Sequence, residues 1–367
     1  MKLDPPLESK ISLPLVGQPW DGLGKGIAIC GQGAVTPGGV GVDSLLNDRE
    51  CRAEILPKLK GDGGWPVYTV NLNDQQWTHW QNEPRLRRAP RIALFMIEAA
   101  RQALEIGHQH DSISTHGSNS LGIVAAFFTG PIAYSRRFFQ ESIEQGKRFA
   151  SPALFPETVF NSPTSHIASM LGATGPCYSV VGDDSAWVGA ISVAACWLKL
   201  GVVKRVLVMG AEELEPVVVE AYARARWIRK EGRFIPSEGA GALLLRNATE
   251  KDDVVITEIA EGFTYRSPGQ AGQAALECLS SFGDVQNACR SARNNWFARI
   301  EEDLFIQKNI KSPPTMPYRG EAFAASAAWN TIRAASQVGR GRDRLLLPVW
   351  GLNEQCSALL LDSKNAE

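Results

Sequence analysis

The sequence predicts an α/β protein whose sheets are covered by helices on both faces. Short, continuous apolar segments rich in Val, Ile, Leu and Ala alternate with longer segments whose apolar residues have helical spacing. Strands that are apolar on both faces are typical of sheets buried between helices. The composition, with 44% hydrophobic and 21% charged residues, is that of a globular protein, and 367 residues are enough for two domain-sized halves.

The predicted elements follow one another in two runs. The first run has strands at 26–35, 121–128, 178–181, 205–210 and 241–245, and helices at 90–106, 163–171 and 185–200. The second, more compressed run has strands at 254–259, 344–349 and 357–361, and helices at 271–279 and 322–335. Because the stretch from Asn247 to Asp253 is polar, we expect the halves to meet there. The predicted organisation is an N-terminal extension (1–25), a first half (26–248) and a shortened second half (253–367).

Charge and cysteine usage exclude several classes of protein. The 38 basic and 39 acidic residues give a formal net charge of -1, which provides no general attraction to nucleic acid or to an anionic membrane. The longest apolar stretch, near residues 121–134, is interrupted and too short to span a bilayer. The N-terminus lacks a secretory pattern, so we expect a cytoplasmic protein. Seven cysteines without a Cys-x-x-Cys pair indicate reduced thiols, and no metal site or cofactor is expected.

Several stretches, in order, resemble the β-ketoacyl synthases of fatty-acid and polyketide synthesis. The resemblance is strong before Leu245 and weaker after it. It is carried by the segments 27–37 (IAICGQGAVTP), 151–158 (SPALFPET), 175–181 (GPCYSVV), 206–213 (VLVMGAEE) and 237–245 (SEGAGALLL), by Asn161, His166 and Gly172, and later by Asn287-Ala288, Gly320, 324–326 and Trp350-Gly351.

The resemblance implies a thiolase-like fold, in which two similar halves form a five-layer α-β-α-β-α sandwich. Members of this family are usually dimers. The strand before the nucleophile, here Cys177 to Val181, would pair with its counterpart across the dimer axis.

The resemblance also indicates that the catalytic residues are replaced. The family transfers an acyl group to a cysteine at a strand-to-helix turn and uses two histidines to stabilise the developing enolate. Counting from Gly175-Pro176, the nucleophile position is Asp184. The two histidine positions, after Asn287-Ala288 and after Gly320, are Cys289 and Glu321. None of the five histidines lies beyond residue 166, whereas both catalytic histidines belong to the second half.

Each replacement leaves alternatives open. Asp184 lies where a helix N-cap belongs, so an ionised cap competes with a catalytic acid. Cys289 is either a relocated nucleophile or a small residue filling a gap in the former active site. Glu321 could pair with Asp184, or could contact Arg290, Arg293 or Arg319.

Further roles are implied by the resemblance alone. Candidates for an acyl-chain tunnel are Thr129, Ala133, Arg137 and Leu154, with Leu352 at the position of a gating aromatic. The basic residues Arg226, Arg229, Lys230 and Arg233 lie where the family binds the acidic acyl carrier protein, and a solvated charged surface is the competing interpretation.

Two functions follow as hypotheses. The first is a catalytically degenerate subunit, resembling a chain-length factor, that forms a heterodimer with an active β-ketoacyl synthase of a type II polyketide or fatty-acid synthase. The second is an acyl-transfer enzyme with an altered active site built from Asp184, Cys289 and Glu321. The absence of both histidines favours the first, and a homodimer remains an alternative assembly.

Overall fold

The computed structural model describes residues 19–20, 23–47, 51–73, 77–108, 121–228, 234–312, 320–338, 344–352 and 355–363. The strands in these ranges are β1 (Pro19–Trp20), β2 (Ile27–Thr36), β3 (Gly39–Val40), β4 (Glu54–Pro57), β5 (Gly64–Val67), β6 (Leu121–Phe127), β7 (Cys177–Val181), β8 (Arg205–Glu212), β9 (Gly239–Asn247), β10 (Val254–Thr264), β11 (Arg344–Gly351) and β12 (Gln355–Ser363).

The helices in the same ranges are α1 (Val42–Leu46), α2 (Thr78–Gln81), α3 (Arg91–His108), α4 (Ile132–Glu144), α5 (Ser162–Leu171), α6 (Asp184–Lys199), α7 (Pro216–Arg224), α8 (Pro268–Ser280), α9 (Asn295–Gln307) and α10 (Ala324–Gln337). Every strand and helix predicted from the sequence is present, with ends that differ by a few residues. The elements that the sequence did not predict include α7, α9, the short helices α1 and α2, and the β4–β5 hairpin.

The first half contains a five-stranded sheet in the order β2-β9-β8-β6-β7. The pairs β2–β9 and β8–β9 are antiparallel, whereas β6 is parallel to both β8 and β7. The parallel strands β6 and β8 are buried almost throughout, which explains their continuous apolar sequences. Strand β7 lies at the edge of this sheet.

The second half repeats this topology. Strand β10 is antiparallel to β12, and β12 is antiparallel to β11. Two isolated bridges continue the order, because Ala288 pairs in parallel with Leu346 of β11 and Asn287 pairs in parallel with Lys311. Five strand positions therefore occur in the same order and direction as in the first half. Two of them are reduced to single bridges, which is why the sequence of this half looks compressed.

Helices cover both sheets and lie between them. The central core packs α6 and α10 against β6, β8 and β9 on one side and β10, β11 and β12 on the other. A second core packs α3 and α5 on the outer face of the first sheet, and a third packs α8 and α9 on the outer face of the second. These layers form the predicted five-layer α-β-α-β-α sandwich, and the sheets join where Val255 and Ile256 of β10 pair with Ala28 and Ile27 of β2.

Two glycines allow α3 to lie very close to β2. A Cβ atom at Gly31 would lie 1.9 Å from the carbonyl oxygen of Ala103, and one at Gly33 would lie 1.9 Å from that of Ala99. No side chain fits at either position. These two glycines within β2 are therefore required for the close packing of α3 on the sheet.

Candidate functional site

The N-termini of the two central helices meet at a small buried cavity. Asp184 is the first residue of α6, and Glu321 lies three residues before α10 begins. Both carboxyl groups line a cavity of about 10 Å³, close to the minimum that holds one water molecule. The remaining lining residues are Ser291, Ala292, Arg293, Asn294, Phe297, Ala327, Asn330, Val349 and Trp350.

Asp184 is not the helix cap that the sequence predicted. The cap is Asp183, whose Oδ1 accepts a hydrogen bond of 3.1 Å from the backbone N–H of Ser185. Asp184 is buried, and its Oδ2 has no hydrogen-bond partner among the described residues. Burial, with the negative charges of Glu321 and Asp183, raises the pKa of Asp184 well above its usual range. The interpretation of Asp184 as the cap of α6 was therefore wrong, because the neighbouring Asp183 accepts from the free N–H group.

Glu321 holds the start of α10 and shares the cavity with Asp184. Its Oε1 accepts a hydrogen bond of 2.9 Å from the backbone N–H of Phe323. Burial raises the pKa of the Glu321 carboxyl, while the nearby Arg293 guanidinium opposes this rise. Of the alternatives left open by the sequence, the structure places both Asp184 and Arg293 near Glu321. The third arginine named there, Arg319, lies outside the described residues.

Arg293 is held in place by polar partners on the cavity wall. Its Nη2 donates a hydrogen bond of 2.5 Å to Oδ1 of Asn330, and Nδ2 of Asn330 donates one of 3.2 Å to the carbonyl oxygen of Ser291. Arg290 lies elsewhere, 3.1 Å from the hydroxyl of Ser312. The cavity is therefore lined by two carboxyl groups and one guanidinium.

Cys289 does not line this cavity. It is buried in the central core, and its Sγ lies 3.6 Å from Oε1 of Gln337 near the end of α10. Its backbone N–H donates to the carbonyl oxygen of Leu346 on β11. Cys289 is therefore a packing residue of the central core, and it does not fill a gap in this cavity as one alternative expected.

An aromatic cluster lies beside the cavity, and sequence reasoning missed it. The ring centroids of Phe128 and Phe323 are 4.5 Å apart, and those of Tyr222 and Trp227 are 5.6 Å apart. Phe323 has a left-handed φ of 45°, which is costly for a non-glycine residue. Leu352, the predicted gating position, packs against the same cluster. Since its members are far apart in sequence, no local pattern could have revealed it.

The candidate tunnel residues fall into three environments. Ala133 and Arg137 lie on one surface groove of α4, of about 360 Å³, beside Glu215. Thr129 is tied to Glu212 by a hydrogen bond of 2.6 Å from its hydroxyl. Leu154 is buried next to the 3₁₀ turn that contacts α4. A tunnel role for these residues stays a prediction.

The predicted carrier-protein patch is described only in part. Arg226 is exposed, with a φ of 64°, immediately after α7. Arg229, Lys230 and Arg233 lie outside the described residues. The role of this patch also stays a prediction.

Strand β7 and its surroundings present an apolar surface. Tyr178 is 54% exposed and Val181 53% exposed, and within the described residues β7 pairs only with β6. Other exposed apolar side chains come from α4 and the turns that follow it: Phe139, Ile143, Phe149, Phe155, Val159 and Phe160. An unpaired edge strand with exposed apolar neighbours is typical of a protein interface.

The described ranges contain neither a membrane-spanning helix nor a cluster of metal-ligating side chains. Over the ranges described above, no helix has the length and apolarity needed to cross a bilayer. In those same ranges, no group of three or more His, Cys, Asp or Glu side chains has an arrangement that could hold a metal ion.

A comparison of the sequence with models of known protein families agrees with the observed fold. The model of the β-ketoacyl synthase N-terminal domain matches residues 25–251, which is more than half of the chain. The chain belongs to the β-ketoacyl synthase family. The match includes the turn before α6 and the edge strand β7. A search of curated proteins found no match.

Solved structures with the same fold include several ketosynthases. The ishigamide ketosynthase/chain length factor is 17% identical, with a TM-score of 0.75 over 92% of this chain and 99% of the other. The ketosynthase complex AntDE:AntF, a type II polyketide synthase with its acyl-carrier protein, is 17% identical with a TM-score of 0.74, covering 92% and 99%. The ketosynthase ApeO with its chain length factor ApeC from Xenorhabdus doucetiae is 13% identical with a TM-score of 0.73, covering 92% and 98%. These similarities establish the thiolase-like fold of this β-ketoacyl synthase family member.

The buried carboxyl groups predict that the protein is less stable at alkaline pH. Burial raises the pKa of Asp184 well above its usual range and that of Glu321 from 4.5 to about 7. Since the native state keeps protons on this pair that the unfolded chain releases above pH ~4.5, the free energy of unfolding falls as the pH rises through about 7. We expect a melting temperature several degrees lower at pH 8.5 than at pH 5.5.

A matched pair of variants tests this prediction. Asp184→Asn should raise the melting temperature at pH 8.5 with little effect at pH 5.5, because it removes a buried ionisable group. The same exchange at the exposed Asp284 should change neither value. An Asp184→Asn effect of equal size at both pH values would contradict the account.

Proposed function

We propose that this chain is a chain-length-factor-like subunit of a type II polyketide or fatty-acid synthase and does not itself condense acyl chains. The observation that carries the proposal is the cavity at the start of α6. It contains the carboxyl groups of Asp184 and Glu321 and measures only about 10 Å³. A condensing site needs a thiolate nucleophile, donors for the oxyanion and room for an acyl group.

The apolar surface around β7 supports a role in assembly. Tyr178 and Val181 would be covered if β7 paired with an equivalent strand of another subunit, which would also satisfy the open edge of the sheet. A homodimer would cover this surface equally well, but it would contain no competent condensing site. We therefore propose a heterodimer with an active β-ketoacyl synthase.

Two of the similar solved structures contain partners of the proposed kind. One is a ketosynthase/chain length factor, and another is a ketosynthase bound to its chain length factor. By analogy, the acyl carrier protein would deliver substrate to the active partner. The basic residues Arg226, Arg229, Lys230 and Arg233 are the proposed contact for its acidic surface.

The alternative function, acyl transfer by an altered active site, is less well supported. Cys289 lies in the central core and does not share the cavity with Asp184 and Glu321. Burial raises the pKa of Asp184, which suits a proton donor, but the cavity has room for about one water molecule and not for an acyl chain.

Co-expression with an intact β-ketoacyl synthase from the same gene neighbourhood tests the proposal. We expect a stable one-to-one complex that elongates acyl chains, whereas this chain alone gives no product. Val181→Arg should prevent assembly, because it places a charge on the β7 edge. Val202→Arg is the matched control, since Val202 is 51% exposed at the far end of α6. A protein that stays a homodimer beside the synthase would contradict the heterodimer.

A further inference from the structure

Two adjacent glutamates at the end of β8 are buried, and their side chains accept hydrogen bonds mainly from backbone N–H groups. Glu212 and Glu213 are 2% and 1% exposed, and the hydrogen bonds that their side chains accept come from three separate parts of the first half. Buried carboxyl groups are costly unless their oxygens are satisfied. Both therefore hold the segments that donate to them.

Glu212 holds the turn that follows β6. Its Oε1 accepts a hydrogen bond from the backbone N–H of Phe128. Its Oε2 accepts one of 3.2 Å from the backbone N–H of Thr129 and one of 2.6 Å from the Thr129 hydroxyl. A single side chain thus fixes both residues between the end of β6 and Gly130.

Glu213 joins the N-termini of two helices. Its Oε1 accepts a hydrogen bond of 2.9 Å from the backbone N–H of Ala133 in the first turn of α4, and its Oε2 accepts one of 2.9 Å from that of Ile92 in the first turn of α3. The residue before α4, Pro131, provides no side-chain cap. The Glu213 carboxyl therefore satisfies donors that each helix leaves unpaired.

The connection held by these glutamates is also restrained where Phe128 packs against Phe323. Gly130 has a φ of +60°, a conformation that other residues rarely adopt, and a Cβ atom there would lie 2.6 Å from the ring of Phe160. Without the two carboxyl groups, the residues between Phe128 and Ala133 would lose the bonds that set where α4 begins. A change there moves the groove that Ala133 and Arg137 line.

We propose that Glu212 and Glu213 are positioning residues that set the wall of the acyl-chain tunnel by holding Thr129 and Ala133. The inference rests on the proposed chain-length function and extends it to residues that do not touch the chain themselves. Product length then depends on the carboxyl pair as well as on the tunnel-lining side chains.

The test uses the complex with an intact synthase and the isosteric variants Glu212→Gln and Glu213→Gln. An amide places an N–H₂ group against one backbone N–H that the carboxyl group had satisfied, so each variant loses a restraint. We expect a product distribution shifted by at least one extension unit, and faster amide hydrogen exchange in peptides covering residues 128–144.

The control is Glu301→Gln in the second half. Glu301 is also 1% exposed and accepts a hydrogen bond of 3.0 Å from a backbone N–H, that of Ser291, but it contacts neither Thr129 nor Ala133. It should leave product length and exchange at residues 128–144 unchanged. If a glutamine variant fails to fold, Thr129→Val removes only the hydroxyl bond to Glu212 and should give a smaller shift of the same kind.

An Ala133→Trp variant separates failure of this inference from failure of the chain-length function. If Ala133→Trp changes product length while folded Glu212→Gln and Glu213→Gln complexes keep the original length and exchange rates, the positioning role is overturned and the chain-length function stands. If Ala133→Trp has no effect on length, the chain-length function fails. Hydrogen exchange at residues 128–144 then decides the positioning role by itself, with unchanged rates refuting it.

Discussion

Replacing Asp184 with Cys should leave the isolated protein unable to condense acyl chains. The new thiol would lie in the cavity of about 10 Å³, beside Glu321 and Asp183, whose charges already raise the pKa of the group at this position. The same charges would disfavour a thiolate, which is the nucleophilic form. The chain also has no histidine beyond residue 166 to stabilise the oxyanion, and each missing donor costs roughly 10² to 10³ in rate.

The measurement is product formation by mass spectrometry with acyl and malonyl groups on acyl carrier protein. Asp184→Ser is the matched control, because it has similar size and no thiol. Both variants should be equally silent. Ketoacyl product from Asp184→Cys alone would show that the histidine positions, or their roles, have been misassigned to Cys289 and Glu321.

The first half of the fold could be predicted well because its strands are buried on both faces. Strands β6 and β8 are continuous apolar runs that a sequence pattern reveals directly. The second half was harder, because two of its strand positions are the bridges at Asn287 and Lys311. A bridge of one residue pair has no periodicity to detect.

Helix α9 escaped prediction for a different reason. Its buried residues include Phe297, Leu304 and Phe305, but also the charged Glu301. Glu301 is satisfied by Trp350, whose Nε1 donates a hydrogen bond of 2.9 Å, and by the backbone of Ser291. A sequence pattern treats such a glutamate as exposed, because its partners come from elsewhere in the chain.

At the candidate site, the structure brings together two of the three predicted positions, Asp184 and Glu321, but not Cys289. Asp184 and Glu321 line the same cavity, which agrees with one of the alternatives for Glu321. The choice between Arg290 and Arg293 as its neighbour needed the geometry of the loop that carries both arginines. Asp183 caps α6 because its side chain faces a free backbone N–H group of the first turn, that of Ser185. Such choices depend on the direction in which each side chain points, which the spacing of residues in the sequence does not encode.

A second expected result concerns where acyl groups bind during turnover. We expect every acyl thioester in the complex to form on the synthase subunit and none on this chain. Among the described cysteines, Cys278, Cys289 and Cys356 are buried, and burial raises the pKa of Cys356 to about 12. Cys177 is exposed in the isolated chain, but it lies on β7, which the proposed interface covers. Thiols of this kind are poor nucleophiles at neutral pH.

The most direct measurement is the intact mass of both subunits, taken from the purified complex after incubation with acyl-loaded carrier protein. The account predicts an acyl increment on the synthase and an unmodified mass for this chain, with chain elongation in the same sample. Cys289→Ala should change neither result. A stoichiometric acyl increment on this chain, lost in Cys289→Ala, would contradict the account and favour an altered acyl-transfer enzyme.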